Sequence, residues 1–244
     1  MNLSIYLTNV QNLCKVFFNT FNISRDTFFI LENDKIKIHT VSSNKDLVIE
    51  VFLDSIIIDN IISLSNNEID IYSMSSYQLY NITKKMNYFG NCLFEFDDTK
   101  CDFSYQQNNK TTIFTIESKK PDAIYSTPST TYSCIFTVIP NDFIVLINRC
   151  SVVDNDVELS IENNQLIAKS NDMNISYETK ISTVIYKYRP FKFIYSKNYL
   201  NLIKHYQDKI LYMKIYVDDF GLIKISFYVH HLGNIIFYLS PILP

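Results

Sequence analysis

The chain reads as an α+β protein built from two similar domains, and three observations lead there. Strand-type alternation of apolar and polar residues dominates, broken only by short stretches of helical period. Two segments match each other: ENDKIKIHTVSSNKDLVIEV (Glu32–Val51) and ENNQLIAKSNDMNISYETKI (Glu162–Ile181) each open on Glu-Asn, alternate, break at a polar patch and resume. A length of 244 residues accommodates two units of about 120 residues or one large all-β domain, and the matching segments favour the former. With 47% hydrophobic residues, the chain has enough apolar surface for a packed core and does not have the composition of a disordered protein.

The duplication extends on both sides of these segments. Upstream, NLCKVFF (Asn12–Phe18) puts Leu13, Val16 and Phe17 on one helical face, and NDFIVLINR (Asn141–Arg149) does the same with Phe143, Leu146 and Ile147. Asn9 and Asn141 are the candidate N-caps. Downstream, SSYQLYNITKKM (Ser75–Met86) matches YSKNYLNLIKHY (Tyr195–Tyr206), with Leu79, Ile82 and Met86 answering Tyr199, Leu202 and Tyr206. Then come two strand pairs, CLFEFDDTKCDFSY (Cys92–Tyr105) and MKIYVDDFGLIKISFY (Met213–Tyr228), each turning at a pair of aspartates, Asp97-Asp98 and Asp218-Asp219. Each half is therefore a strand, a short helix, several antiparallel strands, a second short helix and more strands. The Pro/Ser/Thr-rich stretch beginning at Lys119 lacks periodicity, so the predicted division is a first domain over 1–118, a linker over 119–131 and a second domain over 132–244.

Cysteine usage and hydropathy set the compartment. The 5 cysteines are odd in number, widely spaced and without a C-x-x-C pair, which predicts reduced, mostly buried thiols. No apolar run reaches about 18 residues and no signal-peptide pattern opens the chain, so an intracellular protein without membrane spans is expected.

The helices carry the charge signal. Each is two or three turns long, so its stability depends on packing an apolar stripe against a sheet, leaving the other face to solvent. The outward faces hold Lys15, then Lys84 and Lys85, then Arg149, and finally Lys197, Lys204 and His205, with hardly any acid among them. In a chain of net charge −3, that segregation gathers positive charge on the helix layer. Four ordinary solvated helix faces are the plain account; a surface for a phosphate backbone is the sharper one.

Four stretches carry a family resemblance: TYSCIFTVIPNDF (Thr131–Phe143), KFIYSKNYLNLIKHY (Lys192–Tyr206), LGNIIFYLSPILP (Leu232–Pro244) and KIKIHTVSSNKDLVIEVFL (Lys35–Leu53). In order and spacing the chain resembles, over nearly its whole length, the proliferating cell nuclear antigen family of DNA sliding clamps. The resemblance implies a two-domain clamp fold of duplicated βαβββ units, with short helices lining a channel and antiparallel sheets outside. It further implies a homotrimer closed head to tail around double-stranded DNA, which tethers a DNA polymerase and other replication or repair proteins. The location would be nuclear, or a cytoplasmic replication site for a virus. No cofactor is implied.

Site residues follow from the same resemblance. The helix cations Lys15, Lys84, Lys85, Arg149, Lys197, Lys204 and His205 would meet phosphates loosely and without sequence preference, as sliding requires. The chain departs from the family in having one Lys in the first helix and Asn148 where an Arg is common; Lys110, Lys119 or Lys120 would compensate. A partner-peptide pocket would take Val41, Leu47, Ile124, Tyr125, Pro128, Leu222, Tyr238, Pro241 and Leu243. The subunit interface would pair one edge through Thr112, Ile113, Phe114, Thr115 and Ile116 with a neighbour's edge through Ile175, Tyr177 and Thr179.

Chemical alternatives are weak. The paired aspartates recur at equivalent turns, which marks them as turn formers. His230-His231 reads as part of a strand, where adjacent rings face opposite ways and share no metal. Neither a nucleophile elbow nor a P-loop nor a zinc pattern occurs, so an enzyme is not expected. The alternatives within the fold are a subunit of a heterotrimeric checkpoint ring and a monomeric viral clamp-like replication or transcription factor.

Overall fold

The computed structural model describes residues 3–8, 12–32, 35–63, 69–84, 90–107, 110–121, 124–150, 156–172 and 175–242. The protein is α+β, with antiparallel sheets and four short helices among those residues. The first half runs β1 (Leu3–Leu7), α1 (Leu13–Ile23), β2 (Asp26–Glu32), β3 (Lys35–Val41), β4 (Leu47–Leu53), β5 (Ile58–Ser63), β6 (Ile69–Ser75), α2 (Ser76–Thr83), β7 (Cys92–Phe96), β8 (Lys100–Gln107) and β9 (Lys110–Lys119). The second runs β10 (Tyr132–Val138), α3 (Pro140–Cys150), β11 (Asp156–Glu162), β12 (Gln165–Asp172), β13 (Ile175–Ser182), β14 (Val184–Lys187), β15 (Lys192–Ser196), α4 (Lys197–Leu200), β16 (Ile210–Asp218), β17 (Ile223–Val229) and β18 (Gly233–Leu239).

Strand pairing follows one scheme in both halves. In the first, β1 lies between β5 and β7, β7 pairs with β8, and β2 lies between β3 and β6. In the second, β10 lies between β14 and β16, β16 pairs with β17, and β11 lies between β12 and β15. The chain divides into two compact units, Met1–Lys45 with Ile49–Ser126 and His231–Ile235, and Asp46–Val48 with Thr127–His230 and Ile236–Pro244.

Each unit has an aromatic core, as a chain with 18 Phe, 18 Tyr and no Trp requires. In the first, Phe29 and Phe94 rings lie 5.2 Å apart, Tyr72 and Phe96 4.6 Å, and Phe94 meets Phe103 edge-on at 4.6 Å. In the second, Phe227 lies 5.7 Å from Tyr206 and 5.6 Å from Phe237. The predicted apolar faces are buried: Leu13, Val16 and Phe17 on α1, and Phe143, Leu146 and Ile147 on α3. On α2 Leu79 is buried and Ile82 half-buried, while Met86 lies outside the described residues.

Turn chemistry explains the hairpins. Asn163 and Asn164 both adopt positive φ (47° and 59°) between Glu162 and its partner Gln165, the two-residue turn that matches strand twist. At the β7–β8 turn, Asp97 Oδ1 accepts the N–H groups of Thr99 and Lys100, both at 2.9 Å. Those donors hold the Asp97 carboxyl below its ordinary pKa. At the β16–β17 turn, Asp218 Oδ1 accepts the N–H groups of Phe220 (2.9 Å) and Leu222 (2.8 Å), and Oδ2 accepts the Thr130 hydroxyl. In both pairs the first aspartate closes the turn.

The structure corrects several local expectations. Asn9 lies outside the described residues, and α1 begins at Leu13 behind Asn12, whose side chain makes no cap hydrogen bond. Asn141 is the second residue of α3 rather than its cap; Pro140 opens that helix, where its missing N–H costs nothing. The last helix keeps α geometry over Lys197–Leu200 and tightens to 3-10 over Asn201–Lys209. His230 and His231 form the turn after β17, with His231 at φ 55°, rather than strand residues. None of the five cysteines forms a disulfide; four are buried, and Cys14 is half-buried with its Sγ donating to Thr83 O at 3.5 Å. Burial pushes every one of them above the ordinary thiol pKa, Cys150 to about 11.

Candidate nucleic-acid interface

Each unit sets its two helices side by side. Across α1 and α2, the Phe21 and Tyr80 rings stack at 5.0 Å, and Phe18 lies 5.4 Å from Tyr80. Across α3 and the 3-10 turn after α4, Gln207 Nε2 donates to Asn141 Oδ1 at 2.8 Å. With their apolar stripes buried, the cations are left at the margins. Lys15 on α1 and Lys197 at the start of α4 are half-buried, as is His205; Arg149 in the last turn of α3 and Lys204 are exposed. Arg149 also sits where a cation complements the helix dipole. Lys84 caps the end of α2, exposed, with its Nζ 5.8 Å from the Tyr80 ring; Lys85 lies outside the described residues. Neither α1 nor α2 contains an Asp or Glu.

The three compensating lysines differ. Lys119 pairs with Glu117 at 3.0 Å and Lys120 with Asp98 at 2.9 Å, whereas Lys110 is exposed and makes no ion pair among the described residues. Exposed pairs of this kind are worth little, so they weaken the lysines' pull on phosphate without abolishing it.

The predicted edges are open. Residues 110–117 of β9 pair with β8 on one side, and β6 reaches only Ser118 and Lys119 on the other. β13 pairs with β12 and terminates its sheet. Thr112 and Phe114 are half-buried, Thr115 is exposed and donates to Asp102 Oδ1, and Ile113 is 64% exposed. Ile116 is buried, so its side chain belongs to the core and it offers an edge its backbone alone. The side chains of Ile175 and Tyr177 lie outside the described residues; Thr179 is half-buried.

The predicted pocket residues fall in both units. In the first, Val41 and Ile124 are half-buried and Tyr125 is exposed, with Lys45 Nζ 5.6 Å from its ring. In the second, Leu47 and Tyr238 are buried, while Pro128, Leu222 and Pro241 are half-buried. Leu243 lies outside the described residues, but the stretch before it is tied down: Ser240 N–H donates to Asp46 O and Ile242 N–H to Ile194 O, both at 2.8 Å.

Among the described residues no cluster of His, Cys, Asp or Glu is placed to hold a metal, and no helix is long and apolar enough to cross a membrane. No protein-family model matches the chain, and no curated protein matches it. β16 and β17 also set Tyr212, Lys214, Tyr216, Lys224 and Tyr228 on one face, Tyr212 exposed and the others half-buried. The signal was there in the alternation of YMKIY and KISFY, which reads simply as strand.

Proposed function

We propose that the chain is a clamp-type processivity subunit that encircles double-stranded DNA and tethers replication or repair proteins. The observation that carries the reading is the repetition of one element order and one pairing scheme in both halves, together with an open edge on each, β9 and β13. A duplicated unit with two unlike free edges suits head-to-tail association whose rotation closes into a ring. Edge-to-edge pairing of β9 with a neighbour's β13 would satisfy main-chain groups that are otherwise left to water. The absence of Asp and Glu from α1 and α2 suits loose contact with a duplex backbone. The reading predicts light-scattering mass near three times 28.7 kDa at low micromolar concentration and moderate salt. A mass of 28.7 kDa under those conditions would overturn the homotrimer.

Duplex contact is tested separately. Arg149→Ala with Lys204→Ala removes two exposed helix cations. Their loss is expected to reduce the slope of log K against log salt by about 2 for duplex binding measured by anisotropy. An unchanged slope would remove the helix layer from the DNA-binding surface.

A further inference from the structure

The solvent face of the second unit's β14-β10-β16-β17 sheet has an unusual composition. β16 turns Tyr212, Lys214 and Tyr216 outward, and β17 sets Tyr228, Ser226 and Lys224 opposite them in register. Same-face residues follow one another at about 6.7 Å along a strand, and neighbouring strands lie about 4.8 Å apart. Tyr186 of β14 and Tyr132 of β10 join the same array. Lys214 Nζ lies 4.9 Å from the Tyr186 ring and 5.2 Å from that of Tyr216, and Lys224 Nζ lies 5.1 Å from Tyr216 and 5.9 Å from Tyr132. The Tyr212 and Tyr228 rings are nearly parallel at 6.2 Å. Tyr186 and Tyr212 remain 64% and 52% exposed.

Charge is one-sided here. The four strands contain a single carboxylate, Asp218, and it is occupied by the turn and by Thr130. Asp218 ends the β16 row beside Tyr132; the rest of the face presents ring surfaces and ammonium groups, with no other carboxylate on these four strands. An acidic peptide would use the cations and leave the rings idle. An apolar helix would have to desolvate both lysines. A duplex keeps its base faces stacked inside. Single-stranded nucleic acid uses both features, its phosphates meeting the cations and its bases stacking on the rings.

We propose that this face binds single-stranded nucleic acid, with phosphates at Lys214 and Lys224 and bases on Tyr186, Tyr212 and Tyr216. It stands apart from the helix residues assigned to duplex contact and does not rest on that reading. The test uses the full chain and fluorescein-labelled oligo-dT and oligo-U of about 30 nucleotides, followed by anisotropy beside a duplex of equal length. Tyr186→Ala and Tyr212→Ala are each expected to weaken single-strand binding by about 5- to 150-fold, while Tyr212→Phe keeps it. Lys214→Ala is expected to lower the single-strand salt slope by about 0.7. Tyr186→Ala and Tyr212→Ala leave duplex affinity unchanged, since a duplex keeps its base faces stacked inside, which separates this surface from the helix layer. Both tyrosines are more than half exposed, and thermal melts check that each variant folds. Preference for oligo-dT or oligo-U distinguishes DNA from RNA. The proposal is overturned if wild type binds neither oligomer or if both alanine variants bind like wild type. It is overturned too if the variants change molar mass with oligomer affinity intact, which would mark a protein–protein surface.

Discussion

Ile113→Asp is expected to convert the proposed three-chain assembly to single chains of 28.7 kDa. Along β9 the side chains at 112, 114 and 116 turn progressively inward, ending with buried Ile116, while Ile113 projects to solvent at 64% exposure. Its strand is hydrogen-bonded along one side from Lys110 to Glu117, so a second strand has room to add at the other. Docking that strand would bury Ile113, and an aspartate there would enter the contact desolvated and without a partner. A loss of roughly 2–4 kcal/mol per contact corresponds to about 30- to 1,000-fold in dissociation constant. Since Ile113 is exposed within its own unit, the variant's single chain should keep its far-UV spectrum. Light scattering across a concentration series makes the measurement, with Ile113→Val as the control that stays assembled. Should the aspartate variant retain the wild-type mass, β9 is not the contact and the ring proposal loses its donor edge.

Gly221→Val is expected to give the largest stability loss of any single substitution proposed. Gly221 sits in the β16–β17 turn at φ 86°, where a side chain strains the backbone. A Cβ there would lie 2.6 Å from Cδ1 of Phe193, inside van der Waals contact with a ring rather than with a movable chain end. Its carbonyl accepts the buried Tyr195 hydroxyl at 2.7 Å, so the turn cannot shift without breaking that bond. Burial pushes the Tyr195 phenol well above its ordinary pKa, which keeps it a hydrogen-bond donor at neutral pH. Strain and overpacking together cost roughly 2–4 kcal/mol, lowering Tm by about 5–15 °C. Calorimetry or a urea melt reads it; a shift below about 2 °C would mean that Phe193 yields freely.

Much of the fold is legible in local pattern. The helical faces of Leu13-Val16-Phe17 and Phe143-Leu146-Ile147 were readable because a period of 3.6 residues is a property of neighbours in sequence. The turns at Asp97 and Asp218 were readable for the same reason, since an aspartate that accepts N–H groups two to four residues ahead needs nothing from the rest of the chain. Where the outcome hung on a single residue at an element's end, the pattern misplaced it. Pro140 took the start of α3 from Asn141, and the turn after β17 took His230 and His231 out of the strand.

By itself, then, the sequence determined the order of strands and helices, the buried faces and the aspartate turns, all set by interactions within a few residues. Tertiary structure alone decided which side of β9 is left open, that Lys120 pairs with Asp98, and that Tyr186 meets Lys214 on one sheet face. Those outcomes join residues many positions apart. Strand register, which no local period encodes, brings them together.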